Sequence, residues 1–253
     1  YAHTMLARYA LQPGALVADI GSNDGTCLRF FQEAGARVLG VDPATEIARR
    51  ATESGVPTLG EFFSLDVARR VRAEQGPAAF ITSHNACAHI DRLDDVMRGV
   101  HHWLDDDGVF VLEVGYLLDV YQHVWFDTMY HEHLDYHTVA PFHRLCARTG
   151  LQVIDADRVS PQGGSIRLAI QKIGGTRPVT PNVQALVDLE REAGLDTVST
   201  FAEFSRRIDA VGEDLRRIVR DVRTQGKSVA AFGAATKTTT LLAHFGLGAA
   251  DLD

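Results

Sequence analysis

The sequence predicts an α/β fold: a mostly parallel sheet with helices on both faces, closing on an antiparallel hairpin. Three observations carry this expectation. Val17-Ala18-Asp19-Ile20 is a short apolar run ending in the turn Gly21-Ser-Asn-Asp-Gly25, followed by helical spacing at Leu28, Phe31 and Ala34. Strand-like apolar runs then alternate with helical stretches as far as Glu113, the signature of a parallel sheet. Residues 151–159 and 165–173 are two extended runs separated by Pro161-Gln-Gly-Gly164, which reads as a hairpin at the sheet edge.

Taken in order, the chain opens in a helical pattern (Met5-Leu6-Ala7-Arg8-Tyr9-Ala10). Residues 37–42 form a second buried-strand pattern ending in Asp42, and residues 79–82 and 108–113 supply two more, with a helix over 94–103 between them. A mostly parallel sheet that ends on an antiparallel hairpin is the architecture of a class I methyltransferase; a typical dinucleotide dehydrogenase half keeps its strands parallel. From Pro178 to about Gln225 the sequence is charged and helical, with apolar positions such as Phe204, Ile208 and Leu215. Ser228-Val-Ala-Ala-Phe-Gly-Ala-Ala-Thr-Lys237 then restarts as strand, glycine turn and helix. The expected organisation is a methyl-donor-binding domain over 1–175, a helical connecting segment over 176–225, and the start of a second Rossmann-like domain over 226–253. The unfinished last domain and the opening inside a helix read as a fragment.

At 253 residues and net charge -8, with basic residues scattered, the chain lacks the electrostatic footprint of a nucleic-acid binder. No apolar run of about 18 residues and no signal peptide is present, so no membrane partner is expected and the setting is read as cytoplasmic. Cys27, Cys87 and Cys146 are widely spaced and form no CxxC pair, which supports neither a disulfide framework nor a zinc knuckle. Buried thiols are the expected reading of all three.

The turn after the first strand lies where ligands of open sheets bind, beyond the carboxyl ends of the strands. It is not G-x-G-x-x-G, because Asn23 stands where the second glycine would admit a pyrophosphate. Asp19 and Asp24 add negative charge, which suits a cationic ligand better than a diphosphate. S-adenosylmethionine, with a sulfonium, an ammonium and no phosphate, meets that description. Asp42, about twenty residues on, is placed to accept hydrogen bonds from ribose hydroxyls.

The densest set of titratable groups is Phe126-Asp-Thr-Met-Tyr-His-Glu-His-Leu-Asp-Tyr-His137. His133 and His137 would share a face if helical, but the H-E-x-x-H order of a zinc site fails because Asp135 stands where the second histidine should fall. Three readings remain on the residues alone: a metal site, a satisfied histidine cluster without function, and general acid–base chemistry near neutral pH.

Asp19-Ile-Gly-Ser-Asn-Asp-Gly25, Asn85-Ala-Cys-Ala-His89, Tyr130-His-Glu-His133, Gly163-Gly-Ser-Ile-Arg167 and Gly233-Ala-Ala-Thr-Lys237 occur in this order. Together they resemble the S-adenosylmethionine-dependent C-methyltransferases that alkylate nucleotide-linked keto-deoxysugars in antibiotic and cell-surface biosynthesis. Members of that family usually start with a small zinc-binding domain and end with a complete second Rossmann-like domain. Here the first is absent, the second is cut short, and Thr238 stands where a glycine usually follows the lysine. The resemblance implies proton removal beside a ketone, usually at C3 of a 4-keto sugar, followed by methylation of the enolate, with no metal. It implies His133 as base, Tyr130 and His89 as hydrogen-bond donors to the enolate oxygen or sugar hydroxyls, and Glu132 as a group that orients a histidine or binds a hydroxyl. Asp19, Gly21, Asn23, Asp42 and Asn85 are expected to line the cofactor, with Phe62 and Phe63 flanking adenine. Arg167 and Lys237 are the candidates for the nucleotide diphosphate, since an acidic protein must concentrate positive charge locally to bind one. An O- or N-methyltransferase of the same fold and a non-catalytic Rossmann-like domain are the alternatives.

Overall fold

The computed structural model describes residues 1–233 and 235–253. In chain order the elements are α1 (Ala2–Arg8), β1 (Leu16–Ile20), α2 (Thr26–Glu33), β2 (Arg37–Val41), α3 (Thr45–Glu53), β3 (Thr58–Leu59) and α4 (Leu65–Gln75). They continue with β4 (Ala78–His84), α5 (Leu93–Trp103), β5 (Leu104–Gly115), α6 (Leu117–His123), α7 (Val139–Arg148), β6 (Leu151–Val159) and β7 (Ser165–Lys172). Three helices follow: α8 (Pro181–Glu192), α9 (Val198–Thr224) and α10 (Thr236–Phe245). The chain divides into two compact units, Tyr1–Tyr116 with Asp135–Val187, and Leu117–Leu134 with Asp188–Asp253.

In the first unit, every residue of β1 is buried, as expected of a central parallel strand covered on both faces. The seven strands run β3-β2-β1-β4-β5-β7-β6. From β1 to β5 the pairings are parallel, whereas β7 runs antiparallel to both β5 and β6. This is the α/β sheet of a class I methyltransferase with its terminal hairpin. The chain builds outward from β1 to β3 and then jumps back to place β4 beside β1, creating the crevice where open sheets bind ligands. On one face, Leu28 and Phe31 of α2 and Met5 of α1 pack over Val17, Phe80 and Val111. Phe80 meets the rings of Tyr9 and Phe31 at 5.8 and 5.6 Å. On α5, Trp103 is fully buried and stacks on Phe63 at 6.0 Å. The guanidinium of Arg72 donates to the carbonyls of His102, Trp103 and Leu104, satisfying acceptors that the end of α5 would leave unpaired.

In the second unit, Phe204 and Ile208 of α9 pack with Val120, Phe126, Phe245 and Leu247. Gly212 makes this possible, because a Cβ there would stand 2.5 Å from the Phe245 ring.

One expected element is absent. Residues 227–233 carry no strand, although Val229-Ala-Ala-Phe232 has a strand-like composition. A strand requires a ladder partner, and here Val229 pairs only with Asp253, through its N–H and its carbonyl. Phe232 is fully exposed, so the run has no apolar layer to face. Ala234, within the Gly233–Lys237 motif, lies outside the described residues. No helix among the described residues is long and apolar enough to cross a membrane.

The sheet core of the first unit should depend heavily on Phe80. Phe80→Ala is expected to lower stability by about 3–5 kcal/mol, read as a reduced urea midpoint at unchanged slope. A loss below about 1 kcal/mol would contradict the central position given to this ring.

Candidate active site

The carboxyl ends of β1, β2 and β4 frame two cavities in the first unit. One, of about 730 Å3, is lined by Asp19, Asn23, Asp24, Tyr1, Cys27 and Phe30 among others. The second, of about 470 Å3, is lined by Asp42, Phe62, Phe63, Asn85, His89 and Arg92 among others. Both volumes fall in the range of about 300–1,000 Å3 usual for ligand sites. Gly21 and His84 line both, so the cavities are two lobes of one crevice.

Gly21 holds φ +78°, and a Cβ there would stand 2.5 Å from the Cβ of Ala86. Only glycine fits this crossing, which keeps the lobes open at their junction. Asp19 is 3 % exposed and its Oδ1 has no hydrogen-bond partner; Ser22 Oγ beside it is likewise unpartnered. Burial, with the Asp42 charge adding to it, pushes the Asp19 carboxyl up to about 8. A buried acid with an open acceptor is a group prepared for a cationic ligand. Asp42 is held differently. Its Oδ2 accepts the N–H of Asn23 at 2.8 Å and its Oδ1 accepts that of Ala44 at 2.9 Å. These bonds orient the carboxylate at the lobe wall, with lone pairs left for hydroxyl donors. The positive φ of Asn23, 50°, turns its N–H toward Asp42. Asp19, Gly21, Asn23, Asp42 and Asn85 are thus brought together, and their donor set fits a ligand with an ammonium at one end and a ribose at the other.

The two phenylalanines separate. The Phe62 ring is 79 % exposed and available to a flat ligand, whereas Phe63 is buried against Trp103 and belongs mainly to the core. Arg167 points to Glu113 rather than outward: its Nε and Nη2 donate to Glu113 Oε2 at 3.0 and 2.6 Å. Lys237 is exposed on the first turn of α10 in the second unit.

The histidine-rich run is divided between the units. Phe126–Thr128 is a single 3-10 turn and no helix covers 129–138, so His133 and His137 do not share a helix face. His137 belongs to the first unit, buried against the Phe142 ring at 4.8 Å, and burial pushes its imidazole down to about 4. His133 belongs to the second unit. Its Nδ1 donates to the Thr128 carbonyl at 2.8 Å, which leaves Nε2 as the basic nitrogen, 3.3 Å from the Tyr130 hydroxyl. Glu132 stands 3.8 Å from His131, and both are exposed. Among the described residues, no group of three or more His, Cys, Asp or Glu side chains is arranged to hold a metal ion. Burial pushes the thiols of Cys27, Cys87 and Cys146 up to about 12, 11 and 12, which opposes a thiolate nucleophile.

Sequence reasoning passed over the polar chain behind the lobes. The Tyr1 hydroxyl is 2.7 Å from Thr82 Oγ1, which is 3.1 Å from His84 Nε2. On the other side of the ring, His84 Nδ1 faces Glu113 Oε2 at 3.9 Å, and Glu113 is paired with Arg167. The available signal was positional: Thr82-Ser83-His84 closes an apolar central strand with polar residues, at the edge where ligands bind.

Comparison with known proteins agrees with this geometry. The family of the methyltransferase domain matches residues 2–156, and that of the C-methyltransferase C-terminal domain matches residues 160–253. The C-methyltransferase NovU of Streptomyces niveus is 36% identical over 241 residues, covering 95% of this chain and 57% of that protein. The chain therefore spans little more than half the length of this relative. Among solved structures, the cyclopropane synthase MmaA2 of Mycobacterium tuberculosis superposes with TM-score 0.54 at 16% identity, over 68% of this chain and 82% of that one. A chain of the Haloferax volcanii complex between the Trm112 activator and a methyltransferase gives TM-score 0.54 at 17% identity, over 68% and 88%. These two likenesses speak for the fold alone. A match to the methyltransferase domain family over residues 2–156, on a sheet of this topology, places the chain among the S-adenosylmethionine-dependent methyltransferases.

Proposed function

We propose that the protein is a C-methyltransferase acting on a nucleotide-linked deoxysugar, at the carbon beside a ketone, with C3 of a 4-keto sugar as the position. The observation that carries this reading is the His133 imidazole. Its tautomer is set by Thr128 so that Nε2 carries the lone pair, and it is half-buried with a tyrosine hydroxyl at that nitrogen. A group so arranged is a general base. The C-methyltransferase relative supports the same chemistry.

When bound, S-adenosylmethionine supplies an electrophilic methyl group. Asp19 holds its ammonium, Asp42 its ribose hydroxyls, and Asn85 and Phe62 its remaining face. His133 Nε2 takes the proton from the carbon next to the ketone, and the electron pair of that C–H bond moves into the enolate. Tyr130 and His89 donate hydrogen bonds to the enolate oxygen or to sugar hydroxyls, stabilising charge where it develops. Glu132 orients a histidine of the run. Lys237 is the candidate for the diphosphate, and Arg167, held to Glu113, contributes with the donors that pair leaves over. The three free thiols fit a reducing, cytoplasmic setting.

Two results are expected. First, Asp19 carries a stability penalty with a defined pH window. The unfolded chain loses this proton near pH 4, while the folded chain keeps it until about 8. The native state therefore holds more protons across that window, and stability falls as pH rises through it. Asp19→Asn should remove this slope, raise Tm at pH 7 by roughly 2–4 °C for each kcal/mol relieved, and abolish the thermal shift caused by S-adenosylmethionine. NAD should shift neither protein. A variant that still responds fully to S-adenosylmethionine would remove Asp19 from the site.

Second, incubation with a nucleotide-linked 4-keto deoxysugar in deuterated water, without methyl donor, should exchange the proton next to the ketone. His133→Gln should slow this exchange by about 10²–10⁴-fold. Exchange at the wild-type rate in His133→Gln, together with its loss in Tyr130→Phe, would transfer the base to Tyr130. Methyl transfer without any exchange would point to an oxygen or nitrogen acceptor.

A further inference from the structure

His84 has no role in the chemistry above, yet it occupies the junction of the crevice. The Asp19 lobe and the Asp42 lobe have Gly21 and His84 in common. A ligand held by its ammonium at Asp19 and by its ribose at Asp42 fills both lobes, so its middle passes the junction. In S-adenosylmethionine the middle is the sulfur, cationic before transfer and neutral afterwards. We propose that His84 is the specificity-determining residue at which the site reads the charge on that sulfur, favouring the cationic donor over the neutral product while its imidazole is uncharged. This inference rests on the methyl-donor reading of the crevice.

The surroundings of His84 disfavour a proton on the ring. Thr82 Oγ1 lies between the Tyr1 hydroxyl at 2.7 Å and His84 Nε2 at 3.1 Å, and His84 Nδ1 faces Glu113 Oε2 at 3.9 Å. The Tyr1 ring packs edge-on at 4.5 Å, and the Cys27 sulfur lies 3.9 Å from Nε2. The charged and titratable side chains facing the imidazole are Glu113, Arg167 and Cys27. The Glu113 charge favours a proton on His84, but Arg167 neutralises Glu113 through a two-point contact and opposes that proton itself. Burial is the largest influence and lowers the imidazole below its ordinary range. The ring is therefore neutral at pH 7 and becomes a cation only in acid, next to the ligand's own positive centre.

The comparison that isolates this effect is the ratio of two affinities. Asp19 faces the ammonium, which donor and product share, so most of the effect of its titration cancels in the ratio. What remains is common to the wild type and to variants at His84, so the difference between them isolates the imidazole. His3 in one lobe and His89 in the other are the remaining histidines of the lining.

The test is isothermal titration calorimetry on the full chain with S-adenosylmethionine and S-adenosylhomocysteine from pH 8 to pH 5. In the wild type, the ratio of donor Kd to product Kd should rise on the order of tenfold as His84 gains its proton. In His84→Gln and His84→Asn, each checked by circular dichroism for the native spectrum, the part of the rise that His84 causes should be lost, leaving at most the residual change due to Asp19. A second readout needs no stable variant: the His84 ring resonance should titrate about one pH unit lower in the donor complex than in the product complex. A flat ratio in the wild type overturns the inference, as does a rise that persists undiminished in both variants, which would assign the effect to His3 or His89. Binding of neither compound overturns the methyl-donor reading as well, whereas binding of both with a flat ratio overturns this inference alone.

Discussion

The site depends on one constraint: a carboxylate must be kept out of water at the end of a strand buried on both faces. Asp19 is that group. The strand carrying it is apolar because helices cover both sides of the sheet, and the same covering removes solvent from the carboxyl. Its pKa rises for that reason, and the unpartnered Oδ1 marks where a ligand is to complete the hydrogen bonding. In the reading proposed above, folding and binding are opposed at a single group: the burial that makes the Asp19 charge costly in the free protein is what a cationic ligand would offset.

A second pairing supports the edge of this crevice. Glu113 and Arg167 face each other across the β5–β7 register, so the antiparallel hairpin places a guanidinium against a buried acid beside His84. The side-chain exposures are 5% for Glu113 and 23% for Arg167, so removing either partner leaves a charge poorly solvated. The hairpin therefore does more than end the sheet. It sets the electrostatics behind the junction between the lobes.

The crevice that we propose for the cofactor was legible in the sequence because its framing residues are local. The turn from Asp19 to Gly25 and the acid at Asp42 are each tied to the end of a strand, and hydrophobic pattern locates strand ends well. Phe62 and Phe63 show where that stops: adjacent residues with the same side chain, one exposed at the lobe and the other stacked on Trp103. Arg167 shows it again. Its positive charge suggested a phosphate, and only the pairing of β7 with β5, two strands earlier in the chain, brings Glu113 to two of its donors. The strand expected at 228–232 failed for a related reason, since a β-forming composition without a partner strand has nothing to bond to.

By itself the sequence determined the α/β class, the parallel strands and the hairpin, the position of the glycine turn after β1 and the acidic residues beside it. These follow from periodicity and from residues near one another in the chain. The tertiary structure alone decided that the histidine-rich run is divided, with His137 buried in one unit and His133 held by Thr128 in the other. It alone also joined Tyr1, Thr82, His84, Glu113 and Arg167 into one polar chain. Hydrogen bonds and charge pairs act over a few ångströms of space, and only folding sets which distant residues come within that reach.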